Sequence, residues 1–291
     1  METELKPRHR EIETNGVRLH AVEAGPEGGP LLILLHGFPE SWYGWRRQIG
    51  PLAAAGFHVL VPDQRGYNTS DKPPRVRDYD VDLLARDVLG LIDQAGARKA
   101  FVVGHDWGGL VAWWLGCHHP ERLERLALLN IPHPKVLRDT LLRSSKQRKA
   151  GFHMFFFQLP WYPERLLRKD NFAFAIKALQ VTSRPGTFTE ADFDHYREAW
   201  SHPGALRSML HWYRAAPRSQ GKWGRAPRVC VPTLLIWGPK DRNLIREMAP
   251  PSIALCDDGR LEFIEEATHW VHHEEPEKVN RLLLEFFAGS R

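Results

Sequence analysis

Gly104-His105-Asp106-Trp107-Gly108-Gly109 stands between the apolar run Ala100-Phe101-Val102-Val103 and a helix-compatible stretch at 108–118. A buried strand that turns this abruptly into a helix holds its central residue in a strained conformation. It needs small residues two before and two or three after, so that strand and helix can approach. Gly104, Gly108 and Gly109 meet that need around Asp106. With serine at the centre the turn would present a hydroxyl nucleophile; here it presents a carboxylate. A glycine-rich phosphate loop is the competing reading. The spacing is not G-x-G-x-x-G, however, and an acid where phosphates dock would repel them.

The pattern on either side of this turn is one of alternating strands and helices. Ile12-Glu13-Thr14 and Val17–Val22 flank Asn15-Gly16, a strong hairpin signal. Leu31-Leu32-Ile33-Leu34-Leu35 is unbroken and apolar, as expected of a strand buried on both faces of a parallel sheet. A helix at 42–55 precedes a strand at 57–62, a helix at 80–94 precedes the strand at 100–104, and the helix at 108–118 precedes a strand at 126–129. The same grammar resumes with strands at 233–237 and 260–264 and a closing helix at 276–287. Such spacing means βαβ units in a mostly parallel, doubly wound sheet. Between the two halves no buried strand appears, only helical blocks at 134–149, 163–181, 189–200 and 203–215. The expected organisation is a core of 1–131 and 221–291 with a helical cap at 132–220.

Composition fits a single core with an insertion: 291 residues, 43% hydrophobic and 26% charged. The net charge of +5 is uneven, because Ile131–Gln220 holds 15 Lys and Arg against 7 Asp and Glu. A basic segment can serve nucleic acid or an anionic membrane surface. The cations come in ones and twos between apolar groups, without an arginine-rich run, which reads as a solvated face and not as a nucleic-acid site. Three cysteines, Cys117, Cys230 and Cys256, show no C-x-x-C spacing and argue for a reducing compartment. The charged start METELKPRHREIE has no signal-peptide core, and no apolar run is long enough to span a bilayer. A cytoplasmic location is expected, and no feature points to a particular oligomeric state.

Three further motifs sit where strands end, the place where such sheets put their active sites. His36-Gly37-Phe38-Pro39 follows the first buried strand, and there the Phe38 amide, with that of Trp107 after Asp106, can form an oxyanion hole. Trp237-Gly238-Pro239-Lys240-Asp241 ends a late strand in an acid, and Ala267-Thr268-His269-Trp270 follows the last strand. Nucleophile, acid and histidine in that chain order give Asp106, Asp241 and His269. His272 and His273 compete with His269 but lie on the run into the closing helix. No H-E-x-x-H pattern or acid cluster suggests a metal, and no cofactor is implied.

The run from His36 to Pro73, with GHDWGG, WGPKD and THW, resembles the epoxide hydrolases of the α/β-hydrolase superfamily. The likeness covers nearly the whole chain, since FFFQLPWYPE and HWYRAAPR resemble cap segments of that family. It implies an α/β-hydrolase fold with an inserted helical cap, acting on a small apolar epoxide and water. Asp106 would attack an epoxide carbon to give an ester, and water activated by His269 and Asp241 would release a vicinal diol. Aspartate suits an attack on saturated carbon, because an alkyl ester keeps a carbonyl that water can reopen, whereas a serine ether would be a dead end.

The family opens the ring with two cap tyrosines. Tyr213 matches the second, but the first position, five residues before Gln158, is His153. That histidine resembles the halide-binding residue of fluoroacetate dehalogenases, which share the fold and the aspartate. Those enzymes need arginines one and four residues after the nucleophile, where this chain has Trp107 and Leu110. Haloalkane dehalogenases share the tryptophan after the nucleophile but want an Asn or second Trp where this chain has Phe38. A dehalogenase on the same triad and a catalytically silent binding protein of this fold are the alternatives.

Overall fold

A computed structural model describes residues 7–289; the charged start Met1–Lys6, read above as free of a signal core, lies outside the described residues. Eight strands form one sheet in the order β1-β2-β4-β3-β5-β6-β7-β8. They are β1 (Arg8–Thr14), β2 (Val17–Ala24), β3 (Leu31–Leu35), β4 (His58–Pro62), β5 (Ala100–His105), β6 (Leu123–Leu129), β7 (Thr233–Trp237) and β8 (Gly259–Phe263). β1 and β2 form the Asn15-Gly16 hairpin and β2 runs antiparallel to β4, while β3 to β8 are mutually parallel. This is the α/β-hydrolase arrangement.

The central strands are buried on both faces because successive side chains alternate. Ile33, Leu35, Val102 and Leu128 point into the core beneath α2 (Val81–Gln94) and α3 (Asp106–His118). Leu32, Leu34, Val103 and Leu129 point the other way, against α1 (Arg46–Ala54) and α12 (Pro276–Ala288). An unbroken apolar run is therefore the only sequence that satisfies both sides.

Between β6 and β7 the chain is helical: α4 (Pro134–Arg143), α5 (Ser145–Ala150), α6 (Phe152–Phe156), α7 (Tyr162–Thr182), α8 (Glu190–Ser201) and α9 (Ala205–Trp223). The helix expected at 134–149 is two helices, broken at Ser144, whose hydroxyl accepts the Gln147 amide and caps the second. α7 is kinked at 169–172, where Asp170, Asn171 and Phe172 take left-handed φ angles. α9 runs eight residues further than its apolar pattern suggested, through Pro217. After β7 come α10 (Ala249–Ile253) and α11 (Val271–Glu274). Among the described residues no helix is long and apolar enough to cross a membrane.

Candidate active site

Asp106 occupies the first turn of α3 with φ at 49°, a left-handed backbone that a non-glycine residue adopts only under constraint. The glycines around it explain how the turn closes. A Cβ on Gly104 would lie 2.5 Å from the Gly108 carbonyl oxygen, and one on Gly108 would run into the Leu35 carbonyl. The helix starts at Asp106 itself, two residues before the expected position, so its N-terminal dipole bears directly on the carboxylate.

The two carboxylate oxygens have different surroundings. Oδ1 accepts the Phe38 amide N–H at 2.9 Å, whereas Oδ2 faces His269 Nε2 at 3.6 Å. The Trp107 amide, the second expected donor, makes no hydrogen bond to the resting carboxylate among the described residues. It belongs to the first helical turn, where amides have no intrahelical acceptor. His269 Nδ1 lies 2.7 Å from Asp241 Oδ2. Asp241 Oδ1 accepts the amides of Asn243 and Leu244 at 2.7 and 3.0 Å, which fixes the carboxylate's orientation. Asp106, Asp241 and His269 are thus brought together from the ends of β5, β7 and β8.

Burial works against the charged form of His269, but the Asp241 and Asp106 carboxylates outweigh it and push its pKa up to about 10. Burial likewise works to raise the Asp106 pKa, and His269, His105 and the Phe38 amide together bring it below the usual carboxylate value. At neutral pH the resting site is an imidazolium between two carboxylates.

Two apolar lobes meet at this carboxylate. One, of about 510 Å³, is lined by Trp107, Leu137, Leu141, Phe155 and Trp223. The other, of about 420 Å³, is lined by Phe157, Leu167, Leu179, His153 and His269. Asp106, Met154, Tyr213 and Leu244 border both.

Tyr213, on α9, is packed edge-on by Phe38, Trp107 and Phe157, with ring centroids 4.9 to 5.1 Å away. Burial and then the Asp106 charge hold its phenol well above the ordinary tyrosine pKa. Gln158 donates to the Tyr213 carbonyl at 2.8 Å and so ties the α6 turn to α9. That tie sets the His153 ring 5.9 Å from the Tyr213 ring. Burial lowers the His153 pKa to about 4, with Asp106 only partly opposing it, so the imidazole is neutral at pH 7. Its ring nitrogens have no hydrogen-bond partner among the described residues.

Comparison with known proteins places this geometry. A model of the alpha/beta hydrolase fold family matches residues 30–276. Epoxide hydrolase A of Mycobacterium tuberculosis (strain ATCC 25618 / H37Rv) is 34% identical over 97% of this chain and 98% of its own. The chain belongs to the epoxide hydrolase family of the α/β-hydrolase superfamily. The AB hydrolase superfamily protein YfhM of Bacillus subtilis (strain 168) is 47% identical, covering 96% of this chain and 97% of its own. Among solved structures, a Bacillus megaterium epoxide hydrolase in complex with an inhibitor superposes with a TM-score of 0.88 at 29% identity. That match covers 96% of this chain and 100% of the other.

Other members of the site had no role assigned from the sequence motifs. Asn130, at the end of β6 with φ at 46°, donates to Asp241 Oδ2 at 2.9 Å and to the Gly238 carbonyl, and accepts the Gly238 amide. His105 Nε2 donates to the His269 carbonyl at 2.9 Å. Glu274 accepts both the amide and the hydroxyl of Thr268, bracing the loop that carries His269. An asparagine directly after a buried strand was the one visible signal, and it needed a partner 111 residues away to acquire meaning.

The rival histidines belong to another cluster. Glu40, His272 and His273 are buried within ligating distance of one another. Arg46 donates to His273 Nδ1 at 3.2 Å, so that nitrogen carries the lone pair and the proton sits on Nε2, which donates to Glu40 at 2.6 Å. Neither nitrogen of His273 is then free to ligate a metal, and Glu40 Oε1 accepts both His273 Nε2 and the Tyr196 hydroxyl.

Proposed function

We propose that this protein hydrolyses an apolar epoxide to a vicinal diol through an alkyl ester on Asp106. The observation that carries this reading is the division of labour at the Asp106 carboxylate, with Oδ1 on the Phe38 amide and Oδ2 open toward the cavity and His269. Oδ2 attacks an epoxide carbon, the C–O bond breaks, and the alkoxide takes a proton from Tyr213 while the neutral His153 N–H donates a hydrogen bond to it. Forming the ester removes the Asp106 charge, and with it one of the two carboxylates that hold His269 protonated. The imidazolium proton then returns to the Tyr213 phenolate, leaving His269 as a neutral base.

Water next attacks the ester carbonyl as His269 takes its proton, with Asp241 stabilising the imidazolium. The oxyanion develops on Oδ1, beside the amides of Phe38 and Trp107. Collapse expels the diol, protonated by His269, and the freed carboxylic acid returns its proton to His269. The balance is one epoxide and one water to one diol.

The helices between 132 and 220 act as a cap that supplies Tyr213 and His153 and covers both lobes. The Tyr213 phenol bordering the cavity at Asp106 is a proton donor that an opening epoxide needs and a departing halide does not, which supports the epoxide reading over a dehalogenase. The free cysteines support a reducing, cytoplasmic setting. Single turnover in H2-18O tests the central claim: label should appear first in the Asp106 carboxylate. Label appearing directly in the diol would rule out the ester.

A further inference from the structure

Every exposed large apolar side chain among the described residues falls between Leu142 and Val181. Leu142, Phe152, Trp161 and Tyr162 are each more than half exposed. Leu142 and Phe155 also line the larger lobe, and Phe152, Phe174 and Val181 the smaller, so these residues stand where the lobes meet solvent. Trp161 is the most exposed of them at 75%, on a left-handed backbone with φ at 46°. A bulky residue in that conformation is a steric outlier, held here with its indole in water.

The same stretch is strongly cationic, with eight Lys and Arg against Glu164 and Asp170. Glu164 is taken by Arg214, and Lys146 and Lys169 have acidic partners. Arg143, Arg148, Lys149, Arg165, Arg168 and Lys177 have none within ion-pair distance among the described residues. Exposed aromatics in a stretch rich in cations without acidic partners suit the boundary between phosphate headgroups and acyl chains. A second copy fits poorly, because a twofold contact would set this charge against itself.

We infer that this face of the helical segment docks on an anionic lipid bilayer, with the aromatic side chains at the headgroup–acyl boundary and the cations on lipid phosphates. The sequence pattern alone reads as a solvated basic face; the exposed apolar ring is what changes that reading. Where the epoxide reading holds, both mouths open toward the phase in which an apolar epoxide dissolves.

Co-sedimentation of the full chain with vesicles tests the docking without any measurement of turnover. The protein should bind phosphatidylcholine vesicles containing about a third phosphatidylglycerol, ignore phosphatidylcholine alone, and release in about 1 M salt, where the screening length is only ~3 Å. Arg165→Gln and Arg168→Gln should each lower the partition coefficient roughly fivefold. Trp161→Ser should lower it as well, while all three keep the parent's melting temperature, since the replaced side chains are exposed. Equal binding to both vesicle types, or to neither, overturns the inference. So does a dimer in sedimentation velocity that dissociates in Trp161→Ser, which would make the face a contact between copies.

Discussion

His153 and Tyr213 meet edge to face, their ring centroids 5.9 Å apart and their planes at 80°, beside the cavity that Asp106 borders. Two proton-bearing groups of different chemistry therefore share the space where the family has two phenols. Because burial keeps His153 neutral down to about pH 4, the proposed ring opening would use it as an N–H tautomer rather than as an imidazolium. The alkylation rate of Asp106 should then stay flat from about pH 5.5 to 8.5, which stopped-flow tryptophan fluorescence can follow. A rate that drops as pH rises through about 6.5 would instead make imidazolium the acid. Tyr213→Phe should slow alkylation by roughly 10²- to 10⁴-fold. His153→Tyr should retain or raise turnover at about pH 8–9, restoring a second phenol.

His269→Gln should form the ester and fail to hydrolyse it, because alkylation needs only Asp106 and the ring-opening acids. Intact mass spectrometry should reveal an adduct of substrate mass on this variant and none on Asp106→Ala. In wild type, ester hydrolysis should accelerate with rising pH through a His269 pKa lower than the resting value of about 10, since the ester lacks the Asp106 charge. Pre-steady-state decay of the adduct against pH gives that value directly.

Asn130→Ala removes three hydrogen bonds that join the ends of β6 and β7 to Asp241. At about 1 kcal/mol each, the loss in unfolding free energy should be about 3 kcal/mol. Urea denaturation measures it. Ester hydrolysis should suffer more than alkylation, as Asp241 orients the base and not the nucleophile.

Stability should fall on both sides of neutrality. His272, buried, and His153, half-buried at the cavity, are neutral with pKa values below the ordinary 6.5, so the unfolded chain binds more protons beneath that pH and stability drops as pH falls through it. Glu40, held well below its usual value mainly by His273 and His105 against the effect of burial, adds to the acid loss below about pH 4.5. His269 works the other way. Its raised pKa contributes stability that is full below about 6.5 and is lost as pH climbs toward about 10. Thermal melts across pH should peak near neutrality, and His269→Gln should flatten the alkaline limb most, with a smaller effect on the acid limb through Asp106.

What the sequence made legible was local. The turn at Asp106 is written in three glycines within six residues, and Asp241 and His269 each stand in a short motif that follows a strand. The buried strands announce themselves because both faces demand apolar side chains. The break between α4 and α5 was hidden, since it depends on one serine hydroxyl in an otherwise helical pattern. Asn130 was hidden because its partners lie 108 and 111 residues away. The protonation state of His153 was equally out of reach, because it is a property of the surrounding burial and not of the residue type.

Asp106 stands at the junction of two lobes rather than at the end of one. On the proposed mechanism an oxirane seated there would send its two substituents in different directions, and which carbon meets Oδ2 would depend on how those substituents divide between about 510 and 420 Å³ of space. Regiochemistry is therefore a matter of seating, set by walls that take no part in bond making. Leu141 on one side and Leu179 on the other can be enlarged separately, and exchanging bulk between them should redirect attack to the neighbouring carbon and invert the handedness of the diol, with the triad untouched.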